Sequence, residues 1–116
     1  MNVTYRAAAL GVVFAVLALP ALAARTYTPE ELRGMIESGK YPSQSSPTSK
    51  SQVSSFAACV DKAKSVSASV QPEYPVKVVV NTSVLYTVKF WTNDAAMTVS
   101  CSASDGKIVI TTAPYN

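Results

Sequence analysis

Histidine is missing from this chain of 116 residues, and cysteine occurs only twice. The lack of histidine excludes imidazole bases, catalytic triads that contain histidine and metal sites with histidine ligands. Two cysteines are too few for a four-thiolate zinc or iron–sulfur site. The chain also has no glycine-rich phosphate loop and no calcium-loop pattern, so we expect neither a cofactor nor a metal.

Charge is sparse as well. Ten Lys and Arg stand against seven Asp and Glu, for a net charge of +3, and the basic residues are scattered without a run. Nucleic acids and anionic membranes call for clustered positive charge, so a nucleic-acid partner is not expected. The apolar fraction of 48% is high enough for one folded domain, and the chain is too short for two independent cores.

The longest apolar run lies near the amino terminus. Ala7 to Leu19 follow Arg6, and Pro20 ends the run before it reaches the roughly 20 residues that a membrane helix needs. The small residues of Ala21-Leu22-Ala23 are typical of a signal-peptidase cleavage site. We therefore predict that residues 1–23 are a signal peptide, that the protein is periplasmic or secreted, and that it has no stable membrane insertion after cleavage.

Residues 24–48 are predicted to form a short helix followed by a Ser/Pro-rich linker. Thr28 suits the N-cap, Pro29 the first helical position and Glu31 the capping-box position, three residues after the cap. Gly39 is expected to end this helix. The serines and prolines that follow it contain no apolar run that could form a core.

A second, longer helix is predicted from Ser49, which would be its N-cap with Gln52 three residues on, to Val70. Pro72 then prevents its continuation. Its apolar residues recur at helical spacing and form one stripe, while serines and charged residues occupy the opposite side. The stripe consists of Val53, Phe56, Cys59, Val60, Ala63, Val66 and Val70.

From residue 76 onward the apolar period changes to two, and β-branched and aromatic residues dominate. This pattern predicts four strands joined by short turns, one of which contains Asp105-Gly106, a pair that favours a two-residue type I′ turn. The predicted strands cover 76–80, 84–91, 96–103 and 107–112. The turn lengths predict these cross-strand pairs: Val78 with Tyr86, Val88 with Val99, Phe90 with Met97, Trp91 with Ala96, Cys101 with Ile110 and Ala103 with Ile108.

Residues 49–116 are thus predicted to form an α+β domain. In it, the amphipathic helix packs on one face of a four-stranded antiparallel meander, preceded by the short N-terminal helix. Cys59 lies in the helix stripe and Cys101 on the inward face of the third strand. Paired cysteines are usual in small exported domains, so one disulfide between Cys59 and Cys101 is expected.

The outward face of this sheet is the candidate functional surface. Its apolar row is predicted to contain Val79, Leu85, Ser102 and Val109, with Trp91 and Lys89 towards the other end. Three interpretations stay open: Leu32, Met35 and Ile36 of the short helix cover the row, a partner binds it, or its residues are ordinary half-exposed strand positions. If a partner binds, the expected contacts are Trp91, Lys89, Leu85 and Val79, because aromatic anchors ringed by polar groups dominate interfaces.

No pair of acids and no nucleophile motif indicates catalysis, so an enzyme is not expected. The leading hypothesis is an exported small binding protein of the bacterial envelope: an inhibitor, an immunity-type protein or an accessory subunit with a protein partner. One alternative is a small hydrolase with an unassigned Ser, Asp and Lys site. Another is a structural envelope subunit, for which a homo-oligomer through open strand edges is compatible with the pattern.

Overall fold

A computed structural model describes residues 25–116, so the predicted signal peptide at 1–23 lies outside the described residues. The described chain contains two helices and one five-stranded antiparallel sheet of order β1-β5-β4-β3-β2. The elements are α1 (Pro29–Glu37), β1 (Thr48–Val53), α2 (Phe56–Val70), β2 (Val76–Asn81), β3 (Leu85–Trp91), β4 (Ala95–Ser102) and β5 (Lys107–Pro114). The predicted α+β class, with a helix packed on an antiparallel sheet, is confirmed.

Helix α1 begins as its sequence predicts. The Thr28 hydroxyl accepts a hydrogen bond from the Glu31 amide at 3.1 Å, and the Glu31 carboxylate accepts one from the Thr28 amide at 2.8 Å. These two bonds satisfy amides that the helix itself leaves unpaired. Gly39 follows the last turn with a positive φ of 75°, a conformation that glycine adopts without strain.

The predicted start of the second helix is wrong. Helix α2 begins at Phe56 with Ser55 as its N-cap, and Thr48–Val53, placed partly in that helix, form the edge strand β1. This segment has a single apolar residue, so a helix there would have almost nothing to bury. As a strand it pairs with β5 along its whole length and satisfies backbone groups that the edge of a four-stranded sheet would leave open.

The predicted register is confirmed where β3 meets β4. Trp91 lies opposite Ala96, Phe90 opposite Met97 and Val88 opposite Val99. Val88, Phe90 and Val99 are buried on the inner face, as the alternating pattern requires, while Trp91 and Ala96 are buried on the outer face.

The predicted register is wrong where β4 meets β5. Cys101 pairs with Ile108 and not with Ile110, because residues 103–106 form the turn and not Asp105-Gly106 alone. The same change separates Ala103 from Ile108. The shift is two residues, an even number, so every side chain keeps its predicted face.

The register between β2 and β3 also differs from the prediction. Val78 lies opposite Val88 and not Tyr86, and a β-bulge interrupts the pairing between Val78 and Val80. The Thr82 hydroxyl accepts hydrogen bonds from the amides of Val84 at 3.3 Å and Leu85 at 2.9 Å, which closes the connecting turn. A side-chain bond of this kind sets turn geometry that strand periodicity does not encode.

The main core lies between α2 and the inner face of the sheet. Cys59 and Ala63 of the helix pack against strand residues, and the predicted disulfide joins Cys59 to Cys101 with 5.8 Å between their Cα atoms. The disulfide prediction is confirmed. The buried strand residues of this core are Tyr86, Val88, Phe90, Val99, Cys101 and Ile108.

Candidate functional site

Helix α1 covers one end of the outer face. Leu32 is fully buried in a second cluster with Trp91, Ala96 and Tyr115. The helix therefore does fold back onto the sheet, but at the end where Trp91 lies. Val79 and Leu85 stay 55% and 38% exposed, so the predicted row is not closed off by the helix.

The predicted row itself is broken by the observed register. Ser102 pairs with Leu85 on one side and with Lys107 on the other, while Val109 lies opposite Ser100. A charged residue thus stands where the prediction placed a valine, and the uncovered surface concentrates on the β2 side of the sheet.

Trp91 is the floor of this surface and not an exposed anchor, since only 2% of the residue is accessible. Tyr41 stacks on its ring with centroids 5.6 Å apart and an interplanar angle of 23°. The Lys89 ammonium lies 5.4 Å from the centre of the same ring, within range of a cation–π interaction. The indole Nε1 is buried and has no hydrogen-bond partner among the described residues.

Tyr41 is the aromatic residue that solvent reaches here, with 48% of its surface accessible. It was not among the contacts expected from the sequence. Its position after the last turn of α1 and before the prolines was the available signal, but the stack on Trp91 depends on where α1 docks.

Hydrogen bonds join α1, and Tyr115 in the cluster with Leu32, to the rest of the fold. The Tyr115 hydroxyl lies 2.7 Å from the Thr92 carbonyl oxygen and 2.9 Å from that of Ala95, and shares its proton between them. Burial raises the pKa of Tyr115, and the negative charge of Asp94 adds to the shift. The Arg33 guanidinium donates to the Glu73 carbonyl oxygen at 2.6 Å. These bonds tie α1 to the segment before β2, and the carboxyl-terminal Tyr115 to the turn between β3 and β4.

A groove of about 200 Å³ opens beside this wall and is the candidate site. Its lining unites three of the four residues predicted to contact a partner, namely Val79, Lys89 and Trp91, and adds Tyr41 and Lys77. Leu85 lies at the opposite end of β3 and does not line it. The partner-binding set as a whole stays a prediction.

The two lysines give the groove its charge. Lys77 and Lys89 are direct cross-strand partners on β2 and β3. Within residues 25–116 the one ion pair joins Arg33 to Glu30 at 3.6 Å, so neither lysine has a carboxylate at salt-bridge distance. Like charges in directly opposed positions destabilise a sheet, and here no neighbouring carboxylate of the described residues offsets the repulsion.

A second groove, of about 170 Å³, lies where β1 passes α2, and it bears on the hydrolase hypothesis. Ser54 and Lys62 both line it. The Ser54 hydroxyl donates to the Ser55 carbonyl oxygen at 3.1 Å, and no hydrogen bond joins it to a lysine in the described chain. From Arg25 to Asn116 there is also no group of three or more His, Cys, Asp or Glu arranged to hold a metal.

Neither helix of the described region is long and apolar enough to cross a membrane. Comparison of the chain with protein-family models, with curated proteins and with solved structures finds no match.

Proposed function

We propose that this chain is an exported, non-enzymatic binding protein of the bacterial envelope that recognises a protein partner through the outer face of its sheet. The observation that carries the proposal is the open groove between Tyr41 and strands β2 and β3, where apolar and cationic side chains are exposed together. Exposed apolar area rimmed by polar groups is typical of interaction surfaces.

Two further features support this proposal. The Cys59–Cys101 disulfide is typical of proteins that fold in oxidising compartments such as the periplasm. The stack of Tyr41 on the buried Trp91 ring orders one wall of the groove, and preorganised surfaces lose less entropy on binding. An inhibitor, an immunity-type protein and an accessory subunit all fit this mode of action.

The proposal can be tested by photo-crosslinking in an envelope extract of the source organism. A benzophenone amino acid replaces Val79 in one variant and Ala68, exposed on the solvent side of α2, in the control. We expect a discrete protein adduct from position 79 alone. Excess wild-type protein should compete with it, and excess Val79→Asp should not.

Equal adducts from both positions, or none from either, would contradict the proposal. The hydrolase alternative has its own readout, because turnover of a chromogenic ester that is lost in Lys62→Ala would favour the Ser54 groove. An adduct between copies of this chain at position 79 would favour the structural subunit.

A further inference from the structure

The uncompensated charge of the groove indicates what kind of partner it receives. In directly opposed strand positions Cβ atoms lie about 4.5 to 5.5 Å apart, so the Lys77 and Lys89 stems start close together. None of the seven acidic residues of the chain lines this groove. A carboxylate from outside would relieve the repulsion and accept hydrogen bonds from both ammonium groups.

The surroundings of Lys89 indicate a second property of the ligand. Its stem is half-buried and its ammonium is held near the Trp91 ring, so part of its conformational freedom is already lost before a ligand arrives. Val79 and the outer side of Tyr41 stand beside the lysines as exposed apolar surface. The groove thus matches a ligand that carries a negative charge next to an apolar side chain.

The size of the groove narrows the class of ligand. Sites for drug-sized molecules occupy about 300 to 1,000 Å³, whereas this groove holds about 200 Å³. It suits one or two side chains of a larger partner. The remaining lysines and arginines are scattered along the chain, so the pair does not belong to a basic run of the kind that binds nucleic acid or membranes.

We infer that this groove binds an acidic segment of the partner protein, with an Asp or Glu carboxylate between Lys77 and Lys89 and a neighbouring apolar side chain on Val79 and Tyr41. The inference rests on the proposed function and names the chemistry of its partner. Opposite charge across the interface would also speed association and make binding sensitive to salt.

The test uses the mature chain and its single tryptophan, Trp91, as a reporter inside the site. A labelled peptide of alternating aspartate and valine is titrated against its matched control, in which asparagine replaces every aspartate. We expect the acidic peptide to change Trp91 emission and to gain anisotropy at concentrations at least tenfold below the neutral one. Raising the salt to about 1 M should remove most of that difference.

Three variants in the groove and one control variant locate the effect. Lys77→Gln and Lys89→Gln should each weaken binding of the acidic peptide about two- to fivefold, and the double variant about tenfold or more. Lys62→Gln, on α2, removes the same charge elsewhere and should leave the affinity unchanged. Thermal unfolding of each variant checks that the fold is kept.

Equal affinity for acidic and neutral peptides up to millimolar concentration, or an equal loss in Lys62→Gln, would overturn the inference. Stronger binding to anionic phospholipid vesicles than to the acidic peptide, at equal charge, would overturn it in favour of a lipid surface. If crosslinking from position 79 persists in the Lys77→Gln, Lys89→Gln double variant, the face still binds a protein. In that case the acidic-partner inference fails and the proposed function stands.

Discussion

The two faces of the sheet differ in how they are completed. The inner face is closed by α2 along β3, β4 and β5, and a disulfide joins helix to strand. The outer face is closed by α1 only around Trp91, and two lysines stand side by side next to that end. The inner face is closed within the chain, while the outer face keeps two like charges side by side with no carboxylate at salt-bridge distance within residues 25–116.

Removing the disulfide should have the largest effect. The bond closes a loop with a sequence separation of 42 residues, which corresponds to about 4 kcal/mol in the chain-entropy description. We expect Cys59→Ala combined with Cys101→Ala to lower the free energy of unfolding in urea by that amount. Dithiothreitol should destabilise the wild type equally and leave the double variant unaffected; a loss below about 1 kcal/mol would show that packing alone holds the inner face.

Loss of the Leu32 side chain should come next. It is fully buried, yet its cluster is small, so we expect Leu32→Ala to cost about 2 kcal/mol, the lower end of the range for buried leucines. Because Leu32 packs in the same cluster as Trp91, the tryptophan emission should shift to longer wavelength. Met35→Ala, at a half-exposed position of the same helix, is the control, and an equal effect there would argue against specific docking.

Tyr115, in the cluster that contains Leu32, should make the free energy of unfolding depend on pH in the alkaline range. Its folded pKa lies above the ordinary value of 10.0 because burial disfavours the phenolate. The neutral side chain therefore contributes its full stability below about pH 10, and this contribution is lost as the pH rises from there towards the folded pKa. We expect Tyr115→Phe to cost about 1 kcal/mol at neutral pH and to lose less stability than the wild type between pH 10 and 11, measured by urea unfolding.

An equal alkaline loss of stability in the wild type and in Tyr115→Phe would show that Tyr115 does not govern that pH range. The comparison isolates the hydroxyl group, because the variant keeps the aromatic ring and its edge-on contact with Tyr27.

The smallest effect should be a gain. Lys77→Glu places opposite charges across β2 and β3, and we expect it to stabilise the fold by about 0.2 to 1 kcal/mol. Lys77→Gln should give a smaller gain in stability. Thermal unfolding at low salt measures both substitutions. If both substitutions destabilise the protein, the lysine pair does not lower the stability of the sheet, and the two faces differ less than we infer.

The inner face could be predicted from the sequence because apolar spacing determines which side chains are buried. The stripe of α2, the capping box of α1 and the Cys59–Cys101 pair all follow from residue type and position. The strand register is harder to predict from the sequence, since a shift of two residues between β4 and β5 leaves every side chain on the same face. β1 was missed because its six residues are all exposed and carry no apolar pattern.

The candidate site could be predicted from the sequence only in part, because it also depends on strand register. Alternation along β3 places Lys89 and Trp91 on the outer face, but the bulge in β2 and the stack of Tyr41 on Trp91 depend on turns and docking. Alternation along the first predicted strand places Lys77 on the outer face too, yet its direct opposition to Lys89 appears only with the observed register.

The bulge between Val78 and Val80 also affects how copies of the chain meet at high concentration. A flat, unbroken and apolar edge strand can template the addition of further strands and grow into fibrils. At one edge of this sheet the bulge interrupts regular hydrogen bonding, and at the other the polar strand β1 carries Lys50. Both edges thus resist templated growth, which should let the protein accumulate to high density without precipitating.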